Sequence, residues 1–337
     1  VGALELVSLG LGWAWAKAGS GMARLRPRGG VVGTVAMLLA VALFYGMSGS
    51  FDLAGVETAL VAGRMNHHVS VAALGLLLFG IVGKMVTHLL PILAGHRSEG
   101  TVWIGCLVVS AQASMLGVLL RATGWFFLLT DEWTTVLWVA AVLAMTLGNV
   151  AALIQKDIVR LLAFSSLAHV GYLLVGVVAG GHSGRAAVLF FLPGYVVAAC
   201  GAFILAAGRS RSGDGTRCSH QKDTFSDLVL SLFVLSLAGL PPAAGFIGKF
   251  YLLSAAVQGR DLSLAVIGAF NILVNIYYCV RLVVTLHTRV PGAKPLSRPV
   301  GILLKLPLAI ASGVVLLLGV LPEPWLSLAR RAGLEFF

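Results

Sequence analysis

Two lysines carry the chemistry that this sequence offers. Lys84 stands in FGIVGKM and Lys249 in GFIGKFY, each directly after a glycine and each inside an apolar run. A charge at mid-membrane costs roughly 2.5 to 3.5 kcal/mol on insertion scales, so it is kept only where something requires it. A lysine held away from water can take up and release a proton, which makes both residues candidate proton carriers. For Lys84 the competing account is a side chain that snorkels toward the His88 and His96 side. His169, in AHVGY, is the one histidine deep within a predicted span. With an unperturbed pKa of about 6.5 it can pass protons toward Lys249, or it can sit neutral on a carbonyl. Of the thirteen acidic residues, only Glu5 lies well inside a predicted span, the others being in loops or at span ends.

The elements that must position these groups include an interrupted one. The stretch SLAGLPPAAGFIGKFYLL, Ser236 to Leu253, is apolar enough to cross a membrane, yet it holds two adjacent prolines. Pro241 and Pro242 remove two backbone donors and clash with the preceding turn, so the helix is predicted to stop near Leu240 and restart near Phe246. Gly239, Gly245 and Gly248 let the linker turn and let a neighbouring helix come close. Carbonyls freed there cannot face lipid, so the break must be buried in protein or line a wet cavity. The similarity of FGIVGKM to GFIGKFY suggests a second, distant copy of this break around Lys84. Paired interruptions in corresponding halves are the best sequence pointer to a transport site.

Composition sets the solvent. The 337 residues are 58% hydrophobic and only 11% charged, with a mean hydropathy of +0.96, a balance that no soluble domain of this size shows. Apolar runs of helical length recur without the alternation of a membrane barrel, so the fold is predicted to be an all-α polytopic membrane protein. Ten spans are predicted: 1–16, 31–50, 69–90, 101–120, 133–155, 159–180, 186–208, 225–257, 262–286 and 301–321. The first is short, and the chain opens on Val1, as the remainder of something longer would. The net charge of +11 sets orientation rather than marking a nucleic-acid partner. Fourteen Lys and Arg fall on alternate loops and six on the others, which directs the basic loops inward and both ends outward. The four cysteines form no CxxC pair, and Cys218 with His220 gives too few ligands for a metal. No metal or other cofactor is expected.

Four stretches together carry a family resemblance. SLAGLPPAAGFIGKFYLL resembles the discontinuous helix of subunit 2 of respiratory complex I, the NADH:ubiquinone oxidoreductase. IVRLLAFSSLAHVGYLLVG, Ile158 to Gly176, is similar to a helix of the same subunit almost letter for letter. ALELVSLGL at the start resembles the helix on which the family places an intramembrane glutamate, and FYGMSGSFDL, Phe44 to Leu53, the end of the next one. The resemblance implies an antiporter-like membrane-arm subunit with two inverted five-helix repeats, each with a broken helix and a central charge, forming a proton channel without a cofactor of its own. Residues 1–122 would be the remainder of the first repeat, 133–287 the second and 301–321 a final helix. Glu5 would couple to a neighbour and pair with Lys84 as a switch, while Lys249 would be the terminal lysine. Partners would be the other membrane-arm subunits and membrane lipids, in the mitochondrial inner membrane or a bacterial plasma membrane.

The sequence departs from this pattern in two places. Where the family has a further central lysine, AQASM supplies Ala113, Ser114 and Met115; Gln112, Ser110 and Ser114 can hold water but carry no titratable proton. Helices that precede the glutamate helix in the family are absent, so either the subunit is shortened or a separate chain supplies them. The competing functions are a structural membrane-arm subunit that no longer conducts and a cation/proton antiporter subunit.

Overall fold

The computed structural model describes residues 28–50, 53–93, 101–129, 132–209, 224–288 and 302–335. All regular structure among these residues is α-helical: α1 (Arg28–Ser48), α2 (Leu53–Val61), α3 (His67–Leu93), α4 (Thr101–Leu129), α5 (Glu132–Leu153), α6 (Ile158–Ala179), α7 (Gly181–Arg209), α8 (Thr224–Ala238), α9 (Ala244–Gln258), α10 (Leu262–His287), α11 (Ile302–Val320) and α12 (Glu323–Glu335). Helices are what such apolar runs must form, because hydrocarbon offers the backbone no partners of its own. Among the described residues five helices are long and apolar enough to cross a membrane, and a sixth span results if α11 and α12, bent by 82°, count as one. The predicted span at residues 1–16, and with it Glu5, lies outside the described residues. The short helix α2 was not anticipated.

One helix is central. In α6, 89% of the span is buried within the chain, against 33% in α5 and 39% in α10, so α6 is surrounded while α5 and α10 keep an outward apolar face. That face on α10 carries Phe270, Leu273, Tyr277 and Val284. The middle of its inward face is polar: Asn271, Asn275, Tyr278 and Cys279 are all buried, between Leu264 and Ala265 at one end and Leu282 and Leu286 at the other. This inversion of the soluble amphipathic pattern lets a membrane helix present polar groups to its neighbours and apolar ones to lipid. Asp157 caps α6 by accepting from the backbone N–H of Val159 at 3.0 Å, and Asp261 caps α10 by accepting from Leu264 at 3.0 Å.

Small residues set the closest approaches, as they do where lipid gives helices no hydrophobic drive to associate. A Cβ on Gly148 of α5 would come 2.6 Å from the Ala168 nitrogen of α6, and one on Gly80 of α3 would come 2.7 Å from the Gly33 carbonyl of α1. The second contact holds Lys84. Its side chain is only 1% exposed, and its Cγ lies 3.1 Å from where a Cβ on Gly33 would stand.

The helix around Lys84 corrects one expectation. A break resembling that beside Lys249 was predicted there, but α3 runs unbroken from His67 to Leu93. The reason is that no proline stands beside Lys84; Pro91 comes seven residues later, near the helix end. Gly83 alone keeps its backbone N–H and costs a helix only about 1 kcal/mol, whereas Pro241 and Pro242 remove donors outright. The predicted interruption at the prolines is present, with α8 ending at Ala238 and α9 beginning at Ala244.

Candidate proton-transfer site

The end of α8 builds the site. The last four carbonyls of any helix lack an intrahelical partner. In α8 these belong to Leu235, Ser236, Leu237 and Ala238. Gly239, at φ 85°, adopts the left-handed conformation that favours glycine and closes a Schellman turn. Its N–H donates to Ser236 O at 2.9 Å, and the Leu240 N–H reaches back to Leu235 O at 3.1 Å. Two carbonyls remain. Both are taken by Lys249, whose Nζ donates to Leu237 O at 2.7 Å and to Ala238 O at 3.0 Å.

The prolines thus do more than break the helix. They expose a negative helix end at the level where a cation is wanted, and α9 returns the lysine to it. The return is tight. Gly245 of α9 lies so close to the Ser236 carbonyl that no side chain fits between them, and Gly248 is likewise closed off by the Phe191 ring of α7. Ser236 Oγ accepts from the Gly245 N–H at 3.3 Å, satisfying one of the free donors at the start of α9. Gly319 of α11 abuts the Pro242 carbonyl from the other side. Pro241 and Pro242 are themselves exposed, which lipid tolerates because neither has an N–H to satisfy.

His169 of α6 meets the same carbonyl. Its Nε2 stands 3.0 Å from Leu237 O, and its Nδ1 stands 2.7 Å from Ser165 O. Both partners are carbonyls, which only accept, so a neutral ring with its one hydrogen can donate to just one of them; the ring is fully buried. In the neutral ring with its hydrogen on Nδ1, the nitrogen with the shorter contact, Nε2 turns a lone pair toward the oxygen that Lys249 also holds. In the doubly protonated ring both nitrogens donate. Leu237 O, with two lone pairs, can serve both side chains at once.

Aromatic rings enclose the pair. The Tyr172 ring lies 4.8 Å from Lys249 Nζ and presents itself edge-on to His169 at 5.8 Å. Tyr195 of α7 stacks on His169 at 5.1 Å, and its hydroxyl donates to Gln112 Oε1 on α4 at 2.9 Å. Gln112 in turn reaches Ser166 Oγ at 3.5 Å. The neutral amide that stands beside the aligned position of a central lysine is therefore connected to His169 through one ring.

The structure brings together Lys249, His169, Pro241, Pro242, Gly245 and Gly248. Lys84 is buried elsewhere, at the α1–α3 contact. Ser110 and Ser114 bond back to carbonyls of their own helix at 2.9 Å. Sequence reasoning missed Tyr172 and Tyr195, and it passed over Asn149, Asn271 and Tyr278. Asn149 and Asn271 carried a usable signal, each an amide in the middle of an apolar run. Among the described residues no group of three or more His, Cys, Asp or Glu is placed to hold a metal ion.

The sequence matches a known family. A family profile described as "NADH:quinone oxidoreductase/Mrp antiporter, TM" covers residues 21–274. The chain belongs to that family. Within it, the chain is 33% identical over 321 residues to NADH-quinone oxidoreductase subunit N of Mycobacterium tuberculosis strain H37Rv, covering 90% of this chain and 60% of that one. It is 35% identical over 278 residues to NAD(P)H-quinone oxidoreductase subunit 2 of a Synechococcus strain, covering 80% of this chain and 52% of the relative. The chain thus spans a little over half the length of these relatives. A chain of respiratory complex I from Thermus thermophilus with bound NADH shares its fold, with a TM-score of 0.80 at 18% identity over 98% of this chain and 73% of that one. In the same complex with bound aureothin the TM-score is 0.67 at 26% identity, over 89% and 66%. The antiporter-family fold is therefore a membrane fold of helices, with Lys249 and His169 at the break between α8 and α9.

Proposed function

We propose that this chain is a proton-translocating membrane-arm subunit of an NADH:quinone oxidoreductase, the counterpart of subunit N or 2, in which Lys249 and His169 pass a proton. One observation carries the reading: a buried lysine and a buried histidine share the Leu237 carbonyl freed by a helix break. Two positive charges on one carbonyl repel strongly in a dry interior, so the pair is best described as sharing one proton. When Lys249 holds it, the ammonium donates to Leu237 O and Ala238 O and lies over Tyr172. When it moves to Nε2 of His169, the imidazolium donates to Leu237 O and Ser165 O, and the neutral lysine amine still has hydrogens for both of its carbonyls. With the proton on Lys249 the His169 Nε2 lone pair faces a carbonyl without a donor, a cost that draws the proton toward the ring, and with the proton on His169 both ring hydrogens have acceptors.

The wider assignment follows from the same reading. Residues 1–122 and 133–287 act as two inverted repeats, with Lys84 and Glu5 the switch of the first and Lys249 and His169 the exit of the second. The redox chemistry belongs to other subunits, which are the chain's partners. The bacterial relatives favour a plasma membrane over the mitochondrial inner membrane. Gln112 supports a second reading: a neutral amide near the central lysine's place suits a subunit that keeps the fold and no longer conducts.

His169→Leu separates the two. In sealed vesicles the variant is expected to lower NADH-driven proton uptake about a hundredfold, with the chain still recovered beside flavin and iron–sulfur subunits after native separation and mass spectrometry. Unchanged uptake in the assembled complex would favour the structural reading. Recovery without redox subunits would point to a free antiporter.

A further inference from the structure

A second set of buried polar groups stands behind Lys249 and His169, and its centre is an amide. Asn149 of α5 is fully buried. Its Nδ2 donates to the Tyr172 hydroxyl at 2.9 Å and to the Asn271 carbonyl and Oδ1 of α10, both at 3.1 Å. Its Oδ1 accepts from the Tyr278 hydroxyl at 3.1 Å. Tyr278 stands equally close, 3.1 Å, to Ser165 Oγ, and Asn271 Nδ2 donates to its own helix at Ile267 O and to Thr146 Oγ1 of α5. One side chain thereby ties α5, α6 and α10 together inside the membrane.

The consequence lies in what Tyr172 faces. Its hydroxyl end is held by Asn149, while its ring presents a π face to Lys249 and an edge to His169. A ring face favours the charged form of a cation above it, and the effect depends on the ring staying in place. Leucine at position 149 would fill similar space but release the phenol. Tyr278 would lose one of its two acceptors, and its hydrogen would pass to Ser165, whose carbonyl holds His169 Nδ1.

We propose that Asn149 is a positioning residue for proton transfer: by anchoring the Tyr172 hydroxyl it fixes the ring that holds the shared proton toward Lys249 rather than His169. This rests on the proton-carrying reading of that pair. The other titratable groups facing the pair are the Tyr195 phenol from α7, and the Tyr278 phenol and Cys279 thiol from α10. None is altered by the substitutions below.

The test is a double-mutant cycle in the intact complex. NADH-driven proton uptake is measured across a pH series for wild type, Asn149→Leu, Tyr172→Phe and the two combined, with Lys249→Met beside them. Tyr172→Phe removes only the hydroxyl that Asn149 grips. With the ring loosened, Lys249 gives up its proton more readily, so the alkaline limb of the profile is expected to move about half a pH unit to lower pH in each single variant. The double variant is expected to move no further, because both changes cut the same link. An unmoved limb in Asn149→Leu, or shifts that add in the double variant, would overturn the proposal while a dead Lys249→Met leaves the proton-carrying reading standing. If Asn149→Leu does not assemble, an unmoved limb in Tyr172→Phe alone overturns it. Wild-type uptake in Lys249→Met would remove the underlying reading itself.

Discussion

Lys249→Met is expected to lower coupled turnover of the assembled complex about a hundredfold, the loss that follows removal of one positioned proton-transferring group. Methionine matches the length of the lysine stem and fills the same space beside Gly239. It leaves Leu237 O and Ala238 O without their donor, a loss of about 1 to 3 kcal/mol for each unsatisfied group. It also removes the need to take an ammonium out of water, which offsets much of that loss. Folding is therefore expected to survive while transfer does not. Lys249→Arg sharpens the distinction: the guanidinium keeps the charge and donors but does not release its proton at any working pH. If the arginine variant turned over like wild type, a fixed charge would be sufficient and proton exchange at this position would be the wrong account. NADH-driven quinone reduction in tight vesicles, compared with the amount of complex on a native gel, reads both effects.

The second large effect concerns the fold of the break. Gly245→Ala is expected to prevent the chain from accumulating in its complex. The new methyl group would fall on the Ser236 carbonyl, with the carbon of that carbonyl only 2.8 Å away. Both are backbone atoms, fixed by the Schellman turn and unable to swing aside. Relief requires α8 and α9 to separate, which also breaks both carbonyl contacts of Lys249, so a loss of about 3 kcal/mol or more is expected. Gly313→Ala in α11 is the matched control, since a Cβ there meets nothing within 4 Å and a helical alanine is favoured by about 1 kcal/mol. The amount of assembled complex, measured for both variants, tests the contrast. Equal wild-type levels would mean that the helices at the break can part freely.

Much of this site was legible in the sequence because its strongest signals are local. Two adjacent prolines stop a helix wherever they stand, and a lysine that follows them within the same apolar run has few reasons to lie in lipid. Pro241, Pro242 and Lys249 could therefore be read without any partner in view. His169 was legible by depth alone. What stayed hidden was pairing across the chain. That the Leu237 carbonyl is shared depends on the turn at Gly239 satisfying the other two carbonyl groups of the last turn, and on α6 arriving beside α8 from far away in sequence. Asn149, Tyr172 and Tyr278 come from three helices and have no common spacing. Lys84 misled by likeness: the glycine–lysine pair resembles that at Lys249, but without prolines the backbone has no cause to open, and α3 continues through it.

The most direct test is the number of protons moved per electron by sealed vesicles carrying Lys249→Met, beside wild type and with assembly confirmed in both. A ratio clearly below that of wild type is expected if Lys249 carries protons through this chain. An unchanged ratio from a fully assembled complex would contradict that claim and leave the break at Pro241 and Pro242 as a feature of architecture alone.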